Sequence, residues 1–226
     1  ASQLGLKSIG IDLNPVMIVV ARARLLPPSE ADHLRPLAAT ILSNLRASPV
    51  TPAADDPLLA WFQPSAAKVI RSIEQNIRRS LVGSMTKSPD GIHLDRISGT
   101  AATLYVALFA ACRRLAVSLR SSNPTWIKLP KADDDRLDPT AYAIAHQFSE
   151  NVRGMSKALA AKQDTEVRSG AEFTAGSSTI QLSDTATMAL PEGSIDFVLT
   201  SPPYCTRIDY TAATRVELAV LAPLLK

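Results

Sequence analysis

The clearest change of hydrophobic pattern stands near the amino terminus, in "LKSIGIDLNPVMIVVARARLL". The run Ser8 to Ile11 predicts a short strand, Asp12-Leu13-Asn14-Pro15 turns the chain, and the apolar stretch that follows predicts a helix. Asn14 suits the N-cap, where its side-chain oxygen can accept from an orphan amide, and Pro15 suits the first helical position, where no N–H is needed. From Pro27 to about Gly170 the pattern predicts no strand. Over Pro64 to Leu81, apolar residues recur at Val69, Ile70, Ile73, Ile77 and Leu81 with helical spacing. Lys68, Arg71, Arg78 and Arg79 fall largely off that stripe, so an amphipathic helix with a basic face is expected, stopped by Gly83. Arg96 to Leu119 reads as a buried helix. Thr140 to Ala161 reads as another, capped by Thr140 and lined by Ile144, Phe148, Val152, Met155 and Leu159. Strand patterns return at Thr179 to Leu182 and Asp196 to Leu199. The expected fold class is therefore α/β, with sheet material at the two ends and a large all-α segment between them.

Composition narrows the class. The chain has 226 residues, 46% hydrophobic and 20% charged, which suits a globular protein with one core or two small ones. The longest apolar run, Ala101 to Cys112 with only Thr103 interrupting, falls short of the roughly 20 residues that cross a bilayer, so no membrane partner is expected. Two cysteines, Cys112 and Cys205, indicate neither a disulfide framework nor a cysteine-based zinc site and fit a cytoplasmic setting. His33, His93 and His146 lack metal-ligand spacing, and no metal is expected. The sequence begins at Ala1 inside what reads as a structural unit and looks like a piece of something longer.

The net charge of +3 conceals a division along the chain. Between Trp61 and Gly170 there are 16 Lys and Arg against 10 Asp and Glu, whereas the flanks hold 8 against 11. A basic middle between acidic flanks implies either a polyanion partner such as nucleic acid or a solvated helical surface.

The strand expected at Asp196 to Leu199 runs directly into Ser201-Pro202-Pro203-Tyr204. Paired prolines end a strand, because each fixes φ and neither donates a backbone hydrogen bond, and loops past the carboxyl ends of strands are where open α/β sheets do their chemistry. Asp12 ends the first strand, where an acidic side chain can accept from ribose hydroxyls; Asp184 follows the next and can accept from an exocyclic amine. Each aspartate suits an Asx-turn equally well.

"SIGIDLNPVMIVVARAR" and "DTATMALPEGSIDFVLTSPPY" resemble the second, third and fourth motifs of the S-adenosylmethionine-dependent amino-methyltransferases of DNA, which modify cytosine N4 or adenine N6. The resemblance covers about 25 residues at the start and 45 at the end, and the Ser-Pro-Pro-Tyr form is most typical of the cytosine-N4 members. It implies a partial Rossmann-like sheet interrupted by an all-α insert. Residues 1–26 and 171–226 would form the methyltransferase core, and residues 27–170 the target-recognition region. It further implies S-adenosylmethionine as cofactor, held by Asp12 and Asn14 at the ribose and by Asp184 and Thr185 at the adenine. Ser201, Pro202, Pro203 and Tyr204 would hold the target base, in the setting of restriction and modification. The partner would be double-stranded DNA with the base flipped out, contacted by Arg78, Arg79, Arg207 and Tyr210, with Asp209 on the same loop.

The residue types suit that chemistry. An exocyclic amine has its lone pair delocalised into the ring, so two acceptors are needed to hold its N–H groups. The Ser201 hydroxyl and the Pro202 carbonyl can provide them, and Tyr204 can stack on the base. Cys205 follows Tyr204 rather than a proline, unlike the cysteine nucleophile of cytosine-C5 enzymes, and reads as pocket lining or packing. One departure is plain: none of the nine glycines makes the Gly-x-Gly of the family's first motif. A sheet lacking that strand would have a gap between the strand ending at Asp12 and the run ending at Leu199. A truncated record, a strand supplied by another chain, or an inactive fragment would each account for it. An RNA or protein-amide methyltransferase, and a catalytically incomplete DNA-binding remnant, remain as alternative readings.

Overall fold

The computed structural model describes residues 1, 4, 6–45, 50–83, 87–88, 91–92, 94–123, 125–169, 178–200 and 211–225. They form a mixed α/β structure that is mostly helical. In chain order the elements are β1 (Ser8–Asp12), α1 (Pro15–Arg24), α2 (Ala31–Ser43), α3 (Pro64–Ile77), a two-residue hairpin pair β2 (Lys87–Ser88) and β3 (Gly91–Ile92), α4 (Gly99–Leu115), α5 (Ala141–Ser169), β4 (Ser178–Leu182) and α6 (Arg215–Leu221). Among the described residues no helix is long and apolar enough to cross a membrane.

Helix α4 lies at the centre because its sequence leaves it no polar side. Ala101, Ala102, Thr103 and Leu104, which step right round the axis, are all buried, as are Tyr105, Ala107, Leu108, Phe109, Ala111 and Cys112. Its small residues let neighbours come close: a Cβ at Gly99 would lie 3.1 Å from a methyl of Leu26, at the end of α1. Ser98 starts α4 by accepting from the Ala101 amide at 3.1 Å. Around α4 pack Val16, Ile18 and Val19 of α1, Ile70, Ile73 and Ile77 of α3, Ile144, Phe148 and Val152 of α5, and Val216, Val220 and Leu221 of α6. One core thus runs through residues of the amino-terminal, middle and carboxyl-terminal segments alike.

The helix ends follow the sequence closely. Asn14 caps α1, its Oδ1 accepting from the Val16 amide at 3.0 Å, with Pro15 first in the helix. Thr140 caps α5 through the Ala143 amide at 3.2 Å. Helix α3 continues into a π-helical turn, Arg78–Val82, and ends where Gly83 donates to the Arg78 carbonyl at 3.0 Å. Gly83 has φ of 55°, a left-handed conformation that favours glycine. Helix α2 carries Pro36 in its interior and has no pattern strong enough to predict it; it forms because Leu34, Ala38 and Ile41 all reach the core.

Strands β1 and β4 pair in parallel, Ser8 opposite Ser178 through to Asp12 opposite Leu182. The Ser8 and Ser178 hydroxyls meet at 2.8 Å. Gly10 lies opposite Ile180, whose Cδ1 would be 2.8 Å from any Cβ at position 10, so a side chain there would push the tip of Ile180 aside. The strand expected at Asp196 to Leu199 does not form. Phe197, Val198 and Leu199 are 78%, 74% and 88% exposed. A strand needs a neighbour for its N–H and C=O groups, and among the described strands β1 pairs with β4 and β2 with β3. The hairpin β2–β3 is likewise a departure from the strand-free middle that the pattern predicts.

A basic face on α3 is corrected in part. Arg71 is buried, donating to Asp56 at 2.7 and 2.9 Å and to the carbonyls of Ala219 and Val220 at 3.0 and 2.9 Å. Its guanidinium therefore supplies donors to the last turn of α6, where the Ala219 carbonyl also accepts from the Ala222 amide. Beside it Glu74 is fully buried, accepting from Tyr105 at 3.0 Å and from Arg78 at 3.2 Å. Burial pushes the Glu74 carboxyl above its ordinary range, and the guanidiniums of Arg78 and Arg71 draw it only part of the way back.

Arg71→Met should destabilise the fold by about 3–5 kcal/mol in urea unfolding, because it leaves Asp56 buried without its counter-charge. A raised folded-state pKa at Glu74 means that the native state holds a proton the unfolded chain releases. Its contribution to stability is complete below the ordinary carboxylate range and is lost as pH rises through the folded value. Glu74→Gln should therefore gain stability relative to the parent protein on going from acid to neutral pH, read from unfolding midpoints; a constant difference would remove Glu74 from the pH dependence.

Candidate functional site

The carboxyl ends of β1 and β4 lie side by side, since Asp12 pairs with Leu182 and the Ser183 amide donates to the Asp12 carbonyl at 3.3 Å. Asp12 is exposed, and its Oδ1 accepts from the Asn14 amide at 2.8 Å. Asp184 is also exposed, its Oδ1 accepting from the Ala186 amide at 2.9 Å. Each aspartate thus makes the Asx-turn bond that the sequence allows. Each also keeps its second carboxylate oxygen without a partner among the described residues, so the turn leaves an acceptor available to a ligand. Thr185 stands exposed beside Asp184, and Thr187 donates through both its amide and its hydroxyl to the Asp184 carbonyl, at 3.1 and 3.2 Å. The two carboxylates come to one end of the sheet although 171 residues separate them in the chain.

Ser201, Pro202, Pro203, Tyr204, Cys205, Arg207, Asp209 and Tyr210 lie outside the described residues, as does His93. The chain resumes at position 211 and enters α6, whose position is fixed from three sides. Arg71 holds its last carbonyls, as above. At its start Arg113 of α4 donates to the Ala213 carbonyl at 2.9 Å and to Glu217 at 2.8 Å, and its second terminal nitrogen donates to the Thr125 carbonyl. Asn14 Nδ2 donates to the Thr214 hydroxyl at 3.0 Å. The bonds from Arg113 and Asn14 to residues 213–217 span 100 to 200 residues of sequence. Thr214 and Arg113 were not among the candidates, and no local pattern points to them.

Arg78 and Arg79 occupy the π-helical turn after α3 and differ in their surroundings. Arg79 is exposed, whereas Arg78 is half-buried and paired with Glu74. Of the four cations expected on a basic face, Lys68 and Arg79 reach water freely, and Arg71 is committed to the interior.

The remaining candidates have structural surroundings. Cys112 is fully buried in α4, and burial pushes its thiol up to about 12, so it is no nucleophile at neutral pH. His33 faces Glu30 at 3.1 Å, and His146 stacks on Tyr142. Among the described residues no group of three His, Cys, Asp or Glu side chains is placed to hold a metal ion. A cavity of about 310 Å³, bounded by Arg22, Leu26, Glu30, Gly99 and Ser178, lies at the amino-terminal end of β4, opposite to the paired aspartates.

No protein-family model, curated protein or solved structure matches this chain.

Arg78→Ala should lower stability in urea by about 1–3 kcal/mol, because it strips a charged hydrogen-bond donor from the buried Glu74 carboxylate. Arg79→Ala should stay within about 0.5 kcal/mol of the parent protein, as expected for an exposed side chain. Equal losses for the two variants would contradict the distinction drawn here.

Proposed function

We propose that this chain carries most of an S-adenosylmethionine-dependent DNA amino-methyltransferase, with cytosine N4 as the first target and adenine N6 as the second. The observation that carries the reading is the parallel pairing of Ser8–Asp12 with Ser178–Leu182, which brings Asp12 and Asp184 together at the carboxyl end of one sheet. Open parallel sheets take nucleotide ligands at that end, and each aspartate has a carboxylate oxygen to offer there. The pairing supports the motif resemblance through long-range geometry that neither motif contains by itself.

S-Adenosylmethionine, when bound, supplies a methyl group on a positively charged sulfur. In this reading Asp12 accepts from the ribose hydroxyls, with Asn14 fixing the turn, and Asp184 accepts from the adenine amine, with Thr185 beside it. The Ser201 hydroxyl and the Pro202 carbonyl, stiffened by Pro203, accept the two N–H groups of the target amine and so turn its lone pair toward the methyl carbon. Tyr204 holds the flipped base by stacking, worth roughly 1–3 kcal/mol. No strong base is required, because the acceleration comes from alignment and from acceptors that interact more strongly as the nitrogen gains positive charge. In this reading Arg79 and Arg207 would meet phosphate.

The bare run Phe197–Leu199 supports one further part of the proposal. A strand from outside the described residues, in this chain or a second one, would lie between β1 and that run, complete the sheet and bring the Ser-Pro-Pro-Tyr loop to its carboxyl end.

Calorimetry should detect S-adenosylmethionine binding to the completed sheet, weakened by about 1–3 kcal/mol in Asp12→Ala, the scale for stranding buried donors. Mass spectrometry of nucleosides from DNA exposed to the protein and cofactor should find N4-methylcytosine, or N6-methyladenine in its place. Only 5-methylcytosine, or a methylated protein amide, would overturn the role given to Ser201.

A further inference from the structure

Besides the bonds its carbonyl accepts from the Met17 and Ile18 amides, Asn14 makes three hydrogen bonds in three directions. Its backbone N–H donates to Asp12 Oδ1 at 2.8 Å, its Oδ1 accepts from the Val16 amide at 3.0 Å, and its Nδ2 donates to Thr214 Oγ1 at 3.0 Å. Thr214 in turn donates its hydroxyl proton toward the Thr211 carbonyl at 3.4 Å. Thr214 is buried, so water competes poorly for this bond. A cap needs only the oxygen of Asn14, which Ser or Asp would supply as well. The amide nitrogen is the part of the side chain that the cap leaves unused, and it is spent on Thr214, 200 residues away. The result is a run of hydrogen bonds, with Asn14 donating both to the carboxylate at the end of β1 and to Thr214, that ends at the Thr211 carbonyl. Its far end does not drift, because Arg113 holds the adjacent Ala213 carbonyl and Glu217.

We propose that Thr214 is a positioning residue that couples the cofactor side of the site to the target side, making the affinity for S-adenosylmethionine depend on bound DNA and the reverse. This rests on the methyltransferase reading given above. The physical requirement is that Asp12 and Thr211 keep a fixed separation, and the Asn14–Thr214 bond is a direct polar link between their two segments. A ligand that orders the β1–α1 turn orders the start of α6 through it, and linkage makes the effect reciprocal. Thr214 touches neither ligand in this scheme and acts through Asn14.

The test is a calorimetric titration of the full protein with S-adenosylmethionine, in the absence and in the presence of a saturating short mixed-sequence DNA duplex. The ratio of the two dissociation constants is the coupling factor. Thr214→Val keeps the shape and removes the hydroxyl, and should reduce that factor about threefold to tenfold, as for loss of one hydrogen bond. Each ligand alone should bind Thr214→Val within about twofold of the parent affinity. Thr214→Ser should restore the coupling, and Asn14→Ser, which keeps a capping oxygen but has no Nδ2, should lose it. An unchanged factor in both Thr214→Val and Asn14→Ser overturns the proposal. So does a loss of cofactor affinity in Thr214→Val that is equally large without DNA, which is what a purely structural role predicts. A parent protein that binds both ligands with a coupling factor of one overturns the coupling alone. A parent protein that binds no S-adenosylmethionine overturns the methyltransferase reading and the coupling together.

Discussion

A helix with no polar side must be surrounded, and the rest of this structure is arranged around that requirement. The stretch from Ala101 to Cys112 leaves α4 nowhere to meet water, and it is covered by α1, α3, α5 and α6. The coverage draws on both ends of the chain, so the small sheet is attached to the helical mass from the outset: α1 follows β1 directly and packs on α4, and Ile180 of β4 leans on the same core. The position of the paired aspartates is in this sense inherited from an apolar helix that carries no chemistry.

The charges buried beside that core serve a related purpose. Arg71 gives its donors to Asp56 and to two carbonyls of α6. Such a group is expensive to bury, and it is tolerated because each of its three nitrogens has an acceptor. The arrangement specifies how α6 sits against α3 with a directionality that hydrophobic contact does not provide. Arg113 does the same at the other end of α6.

Local chemistry was legible in the sequence wherever one residue decides one boundary. Asn14 with Pro15, Thr140 and Gly83 each mark a helix end through an orphan backbone group or a required φ, and each is found in that role. The parallel pairing of β1 with β4 is not written in local patterning, which does not say which strand lies beside which. Three features lay beyond such reading. Helix α2 contains Pro36, which the periodicity cannot carry, yet packing of Leu34 and Ile41 overrides the local penalty. Arg71 reads as a surface cation by spacing, and only the fold shows Asp56 and the end of α6 waiting for it. Phe197-Val198-Leu199 has the composition of a strand, but strand formation belongs to a pair of segments and the described residues offer it no neighbour. At the candidate site, the aspartates were recognisable by their position after strands, whereas the Asn14–Thr214 link joins residues that no window of sequence contains together.

The exposed run Phe197–Leu199 also bears on how the protein behaves in a crowd of its own copies. Consecutive apolar residues with high strand propensity and unspent backbone groups are a template for edge-to-edge association, and nothing polar interrupts the three. Asp196 is the charge that stands before them, a single gatekeeper on one flank. Self-association and completion of the sheet would compete for the same surface. If the sheet is completed as proposed, the strand that covers this run would also remove the template for association.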